Sequence, residues 1–484
     1  ITHGLLPGQV LQRNAENKGG ALISGTAKNG TLEYRILKGA KALARFTWAP
    51  AGEVESRQFT FFADGIPCGG PYQVELRVKS KRKIIDTLTV AEVLVGDVWI
   101  AAGQSNMQGV GNIVNAPQPH PQVRAFYTRD EWDIAVEPIH FLAEAVDVFH
   151  NGYGDGPNRP SRATLEAEKK ATVKGVSPAH VFALAMRRRT RVPQGIIACA
   201  HGGTSMAQWS PSLHSQGGAS LYGAMMRRYE KLGQKVAGVI WYQGESDANQ
   251  EASAVYTQNM INLVQSTRND MDIPRLPWLV VQIGCHAAPD GKYWNSIQDQ
   301  QRLLPNAIDN IDVAPAVDLG LEDGIHISGV GQQILGKRLA RLASRLVFRD
   351  RKEKGSIYLK DVSVGDKSPK PGDPRTTVVE LQYGNVKGKL ESRGLPTGFT
   401  MIDRDGNEFP SLYKVTLRGS RVLLECGQTL DMLMTLAVSY GHDRHPYCNI
   451  TDSDGMSLPA MQSVPIAERT PCLTSSRLAL STGC

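Results

Sequence analysis

The sequence predicts an α/β protein with a parallel sheet in the middle of the chain and regions of short β-strands at both ends. Between about residue 93 and residue 348, apolar runs recur and helix-like stretches separate them. The segments on either side alternate polar and apolar residues or are rich in β-forming residues, with turn residues between the runs. Strands that alternate with helices are typical of parallel sheets, whereas short strands with frequent turns are typical of β-sandwiches.

Residues 1–92 are predicted to form an N-terminal β-sandwich domain. Turn-forming residues at 29–30 and 63–65 divide this part of the chain into short runs. The clearest strand candidates are 21–27, 31–36 and 72–78.

Residues 93–348 are predicted to form the α/β domain with a doubly wound parallel sheet. Its strand candidates are the apolar runs 93–102, 195–200, 236–242, 279–284 and 312–317. Helix candidates between or after them are 178–189, 253–268 and 329–346. Residues 112–175 are rich in Pro, Asn, Gly and Arg, and we expect them to form long loops beside a site rather than a domain.

Residues 349–484 are predicted to form a C-terminal β-rich domain, with strands at 376–383 and 421–425 and a flexible loop at 369–374. The chain has seven cysteines and no C-x-x-C pair, so no zinc or redox motif of that kind is indicated. A disulfide among the last four cysteines stays open; these are Cys426, Cys448, Cys472 and Cys484.

The composition is that of an ordinary soluble globular protein, with 484 residues, 41% hydrophobic and 21% charged residues, and a formal net charge of +7. No run approaches the ~20 apolar residues that a membrane span requires. The basic runs at 79–83 and 187–189 carry no interleaved aromatic residues, which argues against nucleic-acid binding. The first residue is Ile1, so we expect a removed signal peptide or a trimmed chain, and a secreted or periplasmic protein. An oligomeric state is not predicted.

The stretch Gly103-Gln104-Ser105-Asn106-Met107 ends the first apolar run of the predicted sheet. Ser105 is therefore expected at the carboxyl end of a strand, where ligands collect in open α/β sheets. If a helix follows, the backbone N–H groups at its start favour a developing negative charge. Ser105 is thus a candidate nucleophile, and the alternative is a serine that only caps a helix.

The best candidate for a general base is His326, which lies just after the last predicted strand and just before the last helix. In a doubly wound sheet that loop is at the same edge as Ser105. Asp323 lies three residues earlier, with Gly324 between, so its carboxylate can fold back onto Nδ1 and orient the imidazole. The alternative is a loop histidine beside a surface acid.

Four further residues at strand ends are candidates for supporting roles. The Gly203 N–H and the side chain of Gln243 are candidate oxyanion donors, with plain turn formation as the alternative for the glycine. Glu245 can assist His326 or hold the loops together. Trp209 can stack on a sugar ring or pack in the core.

These residues occur in order at the ends of strands of one sheet, which predicts acyl transfer to a serine. No metal or organic cofactor is implied, because the eleven histidines show no metal-ligand spacing.

Four motifs carry a resemblance to a known family: GDVWIAAGQSNM, GGTSMAQW, WYQGESDA and DGIH. They resemble the sialate O-acetylesterase-like branch of the SGNH hydrolases, and weaker likenesses at 6–13, 438–441 and 454–460 extend over most of the chain. The resemblance implies a flavodoxin-like three-layer core, flanked here by β-sandwich-type regions, and carbohydrate O-acetylesterase activity. It implies Ser105 as nucleophile, His326 as base and Asp323 as its partner, with an oxyanion hole from Ser105 N–H, Gly203 and Gln243.

Departures from the family pattern leave two points open. Gln243 stands where many SGNH enzymes have asparagine, as is usual in this branch. His201 precedes the Gly-Gly pair where the branch often has a bulky aromatic residue, so that pocket wall is undefined. Some relatives use the glutamate of the WYQGE motif as the third member of the triad, so Glu245 competes with Asp323.

The resulting hypothesis is a serine carbohydrate O-acetylesterase that acts on an O-acetylated glycan, with 9-O-acetylated sialic acid as the first expected substrate. An esterase for acetylated xylan or xyloglucan is the alternative with the same chemistry. A glycan-binding protein with an inert core is the alternative from another class.

Overall fold

A mixed sheet of twelve strands forms the centre of the protein and continues into the N-terminal region. The structure is a computed structural model that describes residues 1–154, 159–287, 291–365, 377–443 and 445–468. Within these residues, five smaller antiparallel sheets of two to four strands accompany the central sheet. The protein therefore has a mixed α/β fold with additional antiparallel sheets, as the alternation of apolar runs and turns indicates.

The N-terminal region consists of strands only, and it contains the three predicted there. β2 and β6 form one antiparallel pair, while β3, β4, β5, β7 and the first part of β8 form another layer; together they enclose a core that includes Leu32, Ile36 and Val74. The strands are β1 (Val10–Gln12), β2 (Lys18–Thr26), β3 (Gly30–Lys38), β4 (Lys41–Ala42), β5 (Ala49–Val54), β6 (Gln58–Pro67), β7 (Gly69–Ser80) and β8 (Lys83–Gly103).

The predicted boundary at residues 92 and 93 lies inside β8, which runs through both sheets without a break. Glu92 has a left-handed φ of 60°, and the register between β7 and β8 shifts at this point. Such an irregularity bends a strand. The change in sequence texture therefore coincides with a bend in one strand, and the division into three domains stays a prediction.

The middle of the chain supplies the other strands of the central sheet and all the longer helices of the described residues. The strands are β9 (Gly111–Asn112), β10 (Val123–Phe126), β11 (Trp132–Ile134), β12 (Lys174–Val176), β13 (Gln194–Ala198), β14 (Gly238–Tyr242), β15 (Trp278–Gln282) and β16 (Ile311–Pro315). The helices are α1 (Ser105–Gln108), α2 (Val148–Asn151), α3 (Arg162–Ala171), α4 (Pro178–Thr190), α5 (Leu221–Lys231), α6 (Gln250–Asp270), α7 (Lys292–Ala307) and α8 (Gly329–Leu346), with 3-10 turns at 113–115, 142–144, 211–219 and 245–247.

The five predicted core strands are present and parallel, in the order β13-β8-β14-β15-β16. In chain order this is 2-1-3-4-5, the order of flavodoxin-like sheets. The residues of these strands are almost all buried, which explains why they read as unbroken apolar runs. The strand order reverses direction at β8, and ligands bind at such a point, outside the carboxyl ends of the strands.

The prediction of long loops at 112–175 was wrong in one respect, because β10 and β11 extend the central sheet beyond β13. β10 pairs parallel with β13, and β11 pairs antiparallel with β10. Only five residues join β10 to β11, too few for the crossover that a parallel pair requires, so β11 returns as a hairpin strand. The central sheet is therefore mixed rather than purely parallel.

The C-terminal region is β-rich, and its two predicted strands pair with each other as β18 and β22. The elements are β17 (Tyr358–Val364), β18 (Thr377–Gly384), β19 (Leu390–Ser392), β20 (Phe399–Ile402), β21 (Leu412–Arg418), β22 (Arg421–Cys426), α9 (Leu430–Leu433), β23 (Ala437–Tyr440), β24 (Ile450–Asp452) and β25 (Met461–Pro465). The loop expected at 369–374 lies outside the described residues.

Cys426 and Cys448 are buried free thiols, and Cys472 and Cys484 lie outside the described residues. None of the helices in the described part of the chain combines the length and apolar character needed to cross a bilayer. The secreted or periplasmic location stays a prediction.

Candidate active site

The turn after β8 places Ser105 at the centre of the sheet edge where the strand order reverses. Gly103 has a φ of 130°, and a Cβ atom there would lie 2.1 Å from the carbonyl oxygen of Tyr242 on β14. Only glycine fits this close approach of two backbones. Gln104 N–H donates to the Tyr242 carbonyl at 2.8 Å, and Ser105 then opens α1. The helix has four residues, so its dipole is small and individual N–H groups matter more.

His326 lies in the loop between β16 and α8 and reaches Ser105 directly. Its Nε2 is 3.0 Å from Ser105 Oγ, and its Nδ1 is 2.9 Å from Asp323 Oδ2. A hydroxyl that donates to Nε2 and an Nδ1–H that donates to Asp323 require the same neutral tautomer. The structure therefore brings the three predicted side chains into one hydrogen-bonded chain.

The loop around His326 is held in shape by its own backbone. Asp323 Oδ1 accepts from the N–H groups of Ile325 and His326, at 3.1 and 3.0 Å. Glu322 N–H donates to the His326 carbonyl at 2.6 Å, which closes a tight hairpin. The D-x-x-H spacing thus allows one carboxylate to bind the backbone and the imidazole of the same residue.

Asp323 is held as a carboxylate by several donors. Burial opposes the charge, but hydrogen bonds from Lys174, His326 and the two backbone N–H groups outweigh it and hold the Asp323 pKa well below its usual range. The Lys174 Nζ lies 2.8 Å from Oδ2. Sequence analysis missed Lys174, because nothing in the local sequence of β12 links it to a residue 149 positions later.

Glu245 does not contact His326 in this structure and lies behind Ser105 instead. Its Oε1 accepts from Asn106 Nδ2 at 2.8 Å, while Asn106 Oδ1 accepts from Ile327 N–H at 2.9 Å. Asn106, the residue after the candidate nucleophile, therefore connects Glu245 to Ile327, the residue after the candidate base. This arrangement matches the loop-holding alternative for Glu245 and gives Asn106, which sequence analysis had not assigned, a bridging position.

The Gly202–Gly203 turn after β13 lies against Ser105. A Cβ atom on Gly202 would be 3.4 Å from Ser105 Cβ, and the Gly202 N–H is already taken by Gln108 Oε1 at 2.7 Å. Gly203 has a φ of 69° and faces open space. In the described part of the chain, neither the Gly203 N–H nor the Ser105 N–H donates to a protein acceptor, so both are available to an oxyanion.

Gln243 is fully buried, and both hydrogens of its amide are engaged. Nε2 donates to the Thr204 carbonyl at 3.1 Å and to Asp247 Oδ2. Asp247 also accepts from Met206 N–H, so the two residues brace the 202–206 turn from below. A direct contact of Gln243 with an oxyanion requires the exchange of one of these bonds and stays a prediction.

Trp209 is a core residue, so the idea that it stacks on a sugar ring was wrong. Its exposed fraction is 0%, its Nε1 donates to Thr204 Oγ1, and its ring packs edge-on against Trp241 at 5.1 Å. A ring with no exposed face cannot bind a ligand.

The pocket wall that the sequence left undefined at His201 contains a pair of histidines. His201 Nδ1 lies 3.0 Å from His150 Nδ1.

Two clefts of the described residues lie away from the Ser105 and His326 side chains. One, of about 730 Å³, is lined by charged and apolar residues between 113 and 172; the other, of about 860 Å³, lies between α8 and the C-terminal region. The site is identified by the chemistry of its side chains. Among the described residues, no group of three or more His, Cys, Asp or Glu side chains is arranged around a metal position.

The burial of Glu245 predicts a pH-dependent stability. Burial raises its pKa from 4.5 to about 7, so between these values the folded chain keeps a proton that the unfolded chain releases. The free energy of unfolding therefore falls as the pH rises through this window and levels off above it. The Glu245→Gln variant has no carboxyl group here, so its free energy of unfolding does not fall in this way. The difference in free energy of unfolding between the variant and wild type should therefore grow in favour of the variant by up to about 3 kcal/mol from pH 4.5 to 7.

Urea unfolding at several pH values measures this difference. Glu166→Gln, which removes an exposed carboxylate on α3, is the control and should show no such growth. A difference between Glu245→Gln and wild type that stays constant from pH 4.5 to 7 would contradict the assignment.

Comparisons with known proteins place the chain in a family. Residues 95–345, more than half of the chain, match the family model described as "Carbohydrate esterase, sialic acid-specific acetylesterase". The chain is 28% identical over 267 residues to a "probable carbohydrate esterase" of Arabidopsis thaliana, covering 50% of this chain and 88% of that protein. It is 30% identical over 211 residues to human sialate O-acetylesterase, covering 38% of each chain, so it matches well under half the length of that relative.

Among solved structures, a carbohydrate acetylesterase from Xanthomonas citri superposes with a TM-score of 0.67 at 22% identity, covering 96% of this chain and 99% of that one. The similarity shows that the fold of nearly the whole chain, including both β-regions, occurs in another protein. With the match of residues 95–345, the chain belongs to the family of carbohydrate esterases described as sialic acid-specific acetylesterases.

Proposed function

We propose that the protein is a carbohydrate O-acetylesterase that removes O-acetyl groups from sugars through an acetyl-enzyme formed on Ser105. The observation that carries the proposal is the continuous hydrogen-bonded chain from Ser105 Oγ through His326 to Asp323. A serine hydroxyl is a weak nucleophile until a base within hydrogen-bond reach takes its proton, and the base needs an orienting partner. The family membership supports ester hydrolysis, and the geometry supports these residues as its agents.

In the first half of the reaction, Ser105 Oγ attacks the acetyl carbonyl carbon while His326 Nε2 takes the hydroxyl proton. The resulting imidazolium is stabilised by the Asp323 carboxylate. The oxyanion accepts from Ser105 N–H and Gly203 N–H, and Gln243 contributes if its amide turns from Thr204. His326 then gives its proton to the sugar oxygen as the carbon–oxygen bond breaks, which leaves acetyl-Ser105 and the free sugar hydroxyl.

In the second half, His326 takes a proton from water, and the hydroxide attacks the acetyl carbonyl. The same donors hold the new oxyanion. The bond to Ser105 Oγ breaks, His326 returns the proton to that oxygen, and acetate leaves. The net reaction converts one acetyl ester and one water into one alcohol and one acetic acid, which ionises to acetate and a proton, with no net change at the protein.

9-O-acetylated sialic acid is the substrate that we propose first. The family model's description and the similarity to human sialate O-acetylesterase support this choice. Acetylated xylan or xyloglucan remains the alternative with the same chemistry. The hydrogen-bonded Ser105, His326 and Asp323 favour an esterase over a glycan-binding protein with an inert core.

Release of acetate from a panel of acetylated glycans tests the proposal. The panel contains 9-O-acetylated sialic acid, acetylated xylan and acetylated xyloglucan, with p-nitrophenyl acetate as a small ester. We expect release from all esters that reach Ser105, with the highest kcat/KM for the sialic acid. A higher kcat/KM for a plant polysaccharide would move the assignment to that substrate, and no release from any ester by folded protein would contradict the enzyme.

A further inference from the structure

Lys174 touches the same carboxylate oxygen that orients the candidate base. We propose that Lys174 is a positioning residue of the esterase site, where its ammonium group holds the Asp323 carboxylate against His326 and makes proton capture by the imidazole harder. The inference rests on the proposed function and adds to it a fourth side chain, which contacts neither the nucleophile nor the acetyl group.

The geometry divides the two oxygens of Asp323 between two tasks. Within the described residues, Oδ1 accepts from backbone N–H groups of its own loop, whereas Oδ2 accepts from Lys174 Nζ at 2.8 Å and from His326 Nδ1 at 2.9 Å. With four donors the carboxylate cannot rotate without breaking several bonds. An oxygen shared with an ammonium group is a weaker partner for an imidazolium than an oxygen that serves the imidazole alone, because its negative charge is already partly balanced.

The position of Lys174 explains how it comes to this oxygen. It belongs to β12, which pairs with β9 so that Lys174 lies opposite Asn112. The Asn112 N–H approaches Glu322 Oε2 at 3.4 Å, one residue from Asp323. The β9–β12 pair closes the segment 113–173, so the two ends of this segment lie beside the His326 loop at the point where Lys174 contacts Asp323.

The ion pair contributes little to folding. The side chains are 45% exposed in Lys174 and 35% exposed in Asp323, and ion pairs of this exposure contribute between 0 and about 1 kcal/mol. Its field at the imidazole is more consequential, because Asp323 joins the two groups through one atom. A positive charge this near opposes the formation of a second one on His326.

The sign of the effect depends on the charged groups near the imidazole. Among the described residues these include Asp323 and Glu322 in its own loop, Lys174 from β12, and the buried Glu245 behind Asn106. Burial raises the Glu245 pKa to about 7, so this carboxyl is neutral over the acidic range. Lys174 is the cation of this set, so its loss leaves the imidazolium more stable and extends the inactive, protonated form of the base to higher pH.

A charge series at position 174 tests the proposal through the pH dependence of kcat/KM for acetate release from p-nitrophenyl acetate. In Lys174→Met, the acid limb of the profile should move up by about half to one pH unit, up to tenfold in rate on the acid side. Lys174→Glu should move it further, and Lys174→Arg should leave it near wild type. The control pair Lys235→Met and Lys235→Glu changes an exposed ion pair on the loop after α5, Lys235–Asp272, and should move nothing.

If Lys174 only stabilised the local structure, Lys174→Met and Lys174→Glu should lose kcat/KM equally, and the acid limb of the pH profile should not move. That result would overturn the proposal. An active wild type combined with an unmoved limb in the series therefore refutes the role of Lys174 alone. A wild type that releases no acetate from any ester refutes the proposed function and this inference together.

Discussion

The Ser105→Ala variant is expected to lose acetate release by roughly 10⁴-fold or more, because no other hydroxyl of the described residues is held at His326 Nε2. The covalent route then ends, and only transition-state stabilisation by the remaining N–H groups persists. The melting temperature should stay within about 2 °C of wild type, since the substitution removes one partly exposed hydrogen bond. Acetate release from p-nitrophenyl acetate and from 9-O-acetylated sialic acid, with thermal unfolding in parallel, measures both quantities.

The matched control for this variant is Ser328→Ala, two residues beyond the candidate base. Ser328 caps α8 through its hydroxyl, which accepts from Gly331 N–H, and it does not contact Ser105. It should lose stability by about 1 kcal/mol and keep its activity. If Ser105→Ala released acetate as fast as wild type, Ser105 would have no part in the reaction. The esterase assignment would then lack a nucleophile.

The second large effect is expected for Asp323→Asn, with a loss of roughly 10³-fold or more in kcat. An asparagine has no charge to stabilise the imidazolium, and its amide can turn its NH₂ toward Nδ1 and impose the wrong tautomer on His326. Glu245→Gln should lose less than about tenfold, because a glutamine oxygen can still accept from Asn106 Nδ2 and keep the His326 loop in place. Single-turnover acetylation rates of the two variants measure the difference directly.

The comparison decides between the two carboxyl groups that the sequence left in competition. A larger loss for Glu245→Gln than for Asp323→Asn would assign the orienting role to Glu245, and His326 would then have to turn in the complex with substrate. Asn106→Ala gives an independent control, because it cuts the contact of Glu245 with the His326 loop without changing either carboxyl group.

Most of the central sheet could be predicted from the sequence because its strands are buried on both faces. Such strands must be apolar at nearly every position, and this continuous pattern remains visible without any knowledge of neighbours. β10 and β11 were missed because they are short. They are four and three residues long and contain polar residues such as Arg124 and Asp133, so they resemble loops in composition even though β10 is buried between β11 and β13.

The residues of the site also divide into those that local motifs reveal and those that depend on tertiary contacts. Ser105, Asp323 and His326 were recognised because each lies in a short motif next to a strand or helix end. Trp209 was ambiguous because a tryptophan after a Gly-Gly turn is equally compatible with a sugar platform and a core, and only its burial in the structure distinguishes the two. Gln243 was a candidate oxyanion donor, and only the structure shows that its amide is engaged by the Thr204 carbonyl and by Asp247.

The sequence by itself determined the alternation of strands and helices, the turn that exposes Ser105 and the local pairing of Asp323 with His326, because each depends on residues within a few positions of one another. The tertiary structure alone decided that Lys174 reaches Asp323, that Glu245 binds Asn106 rather than His326, and that Trp209 is enclosed. These contacts join residues 139 and 149 positions apart, or concern packing around a side chain. A contact of that kind depends on how the strands are ordered in the sheet, and no local pattern of residues encodes that order.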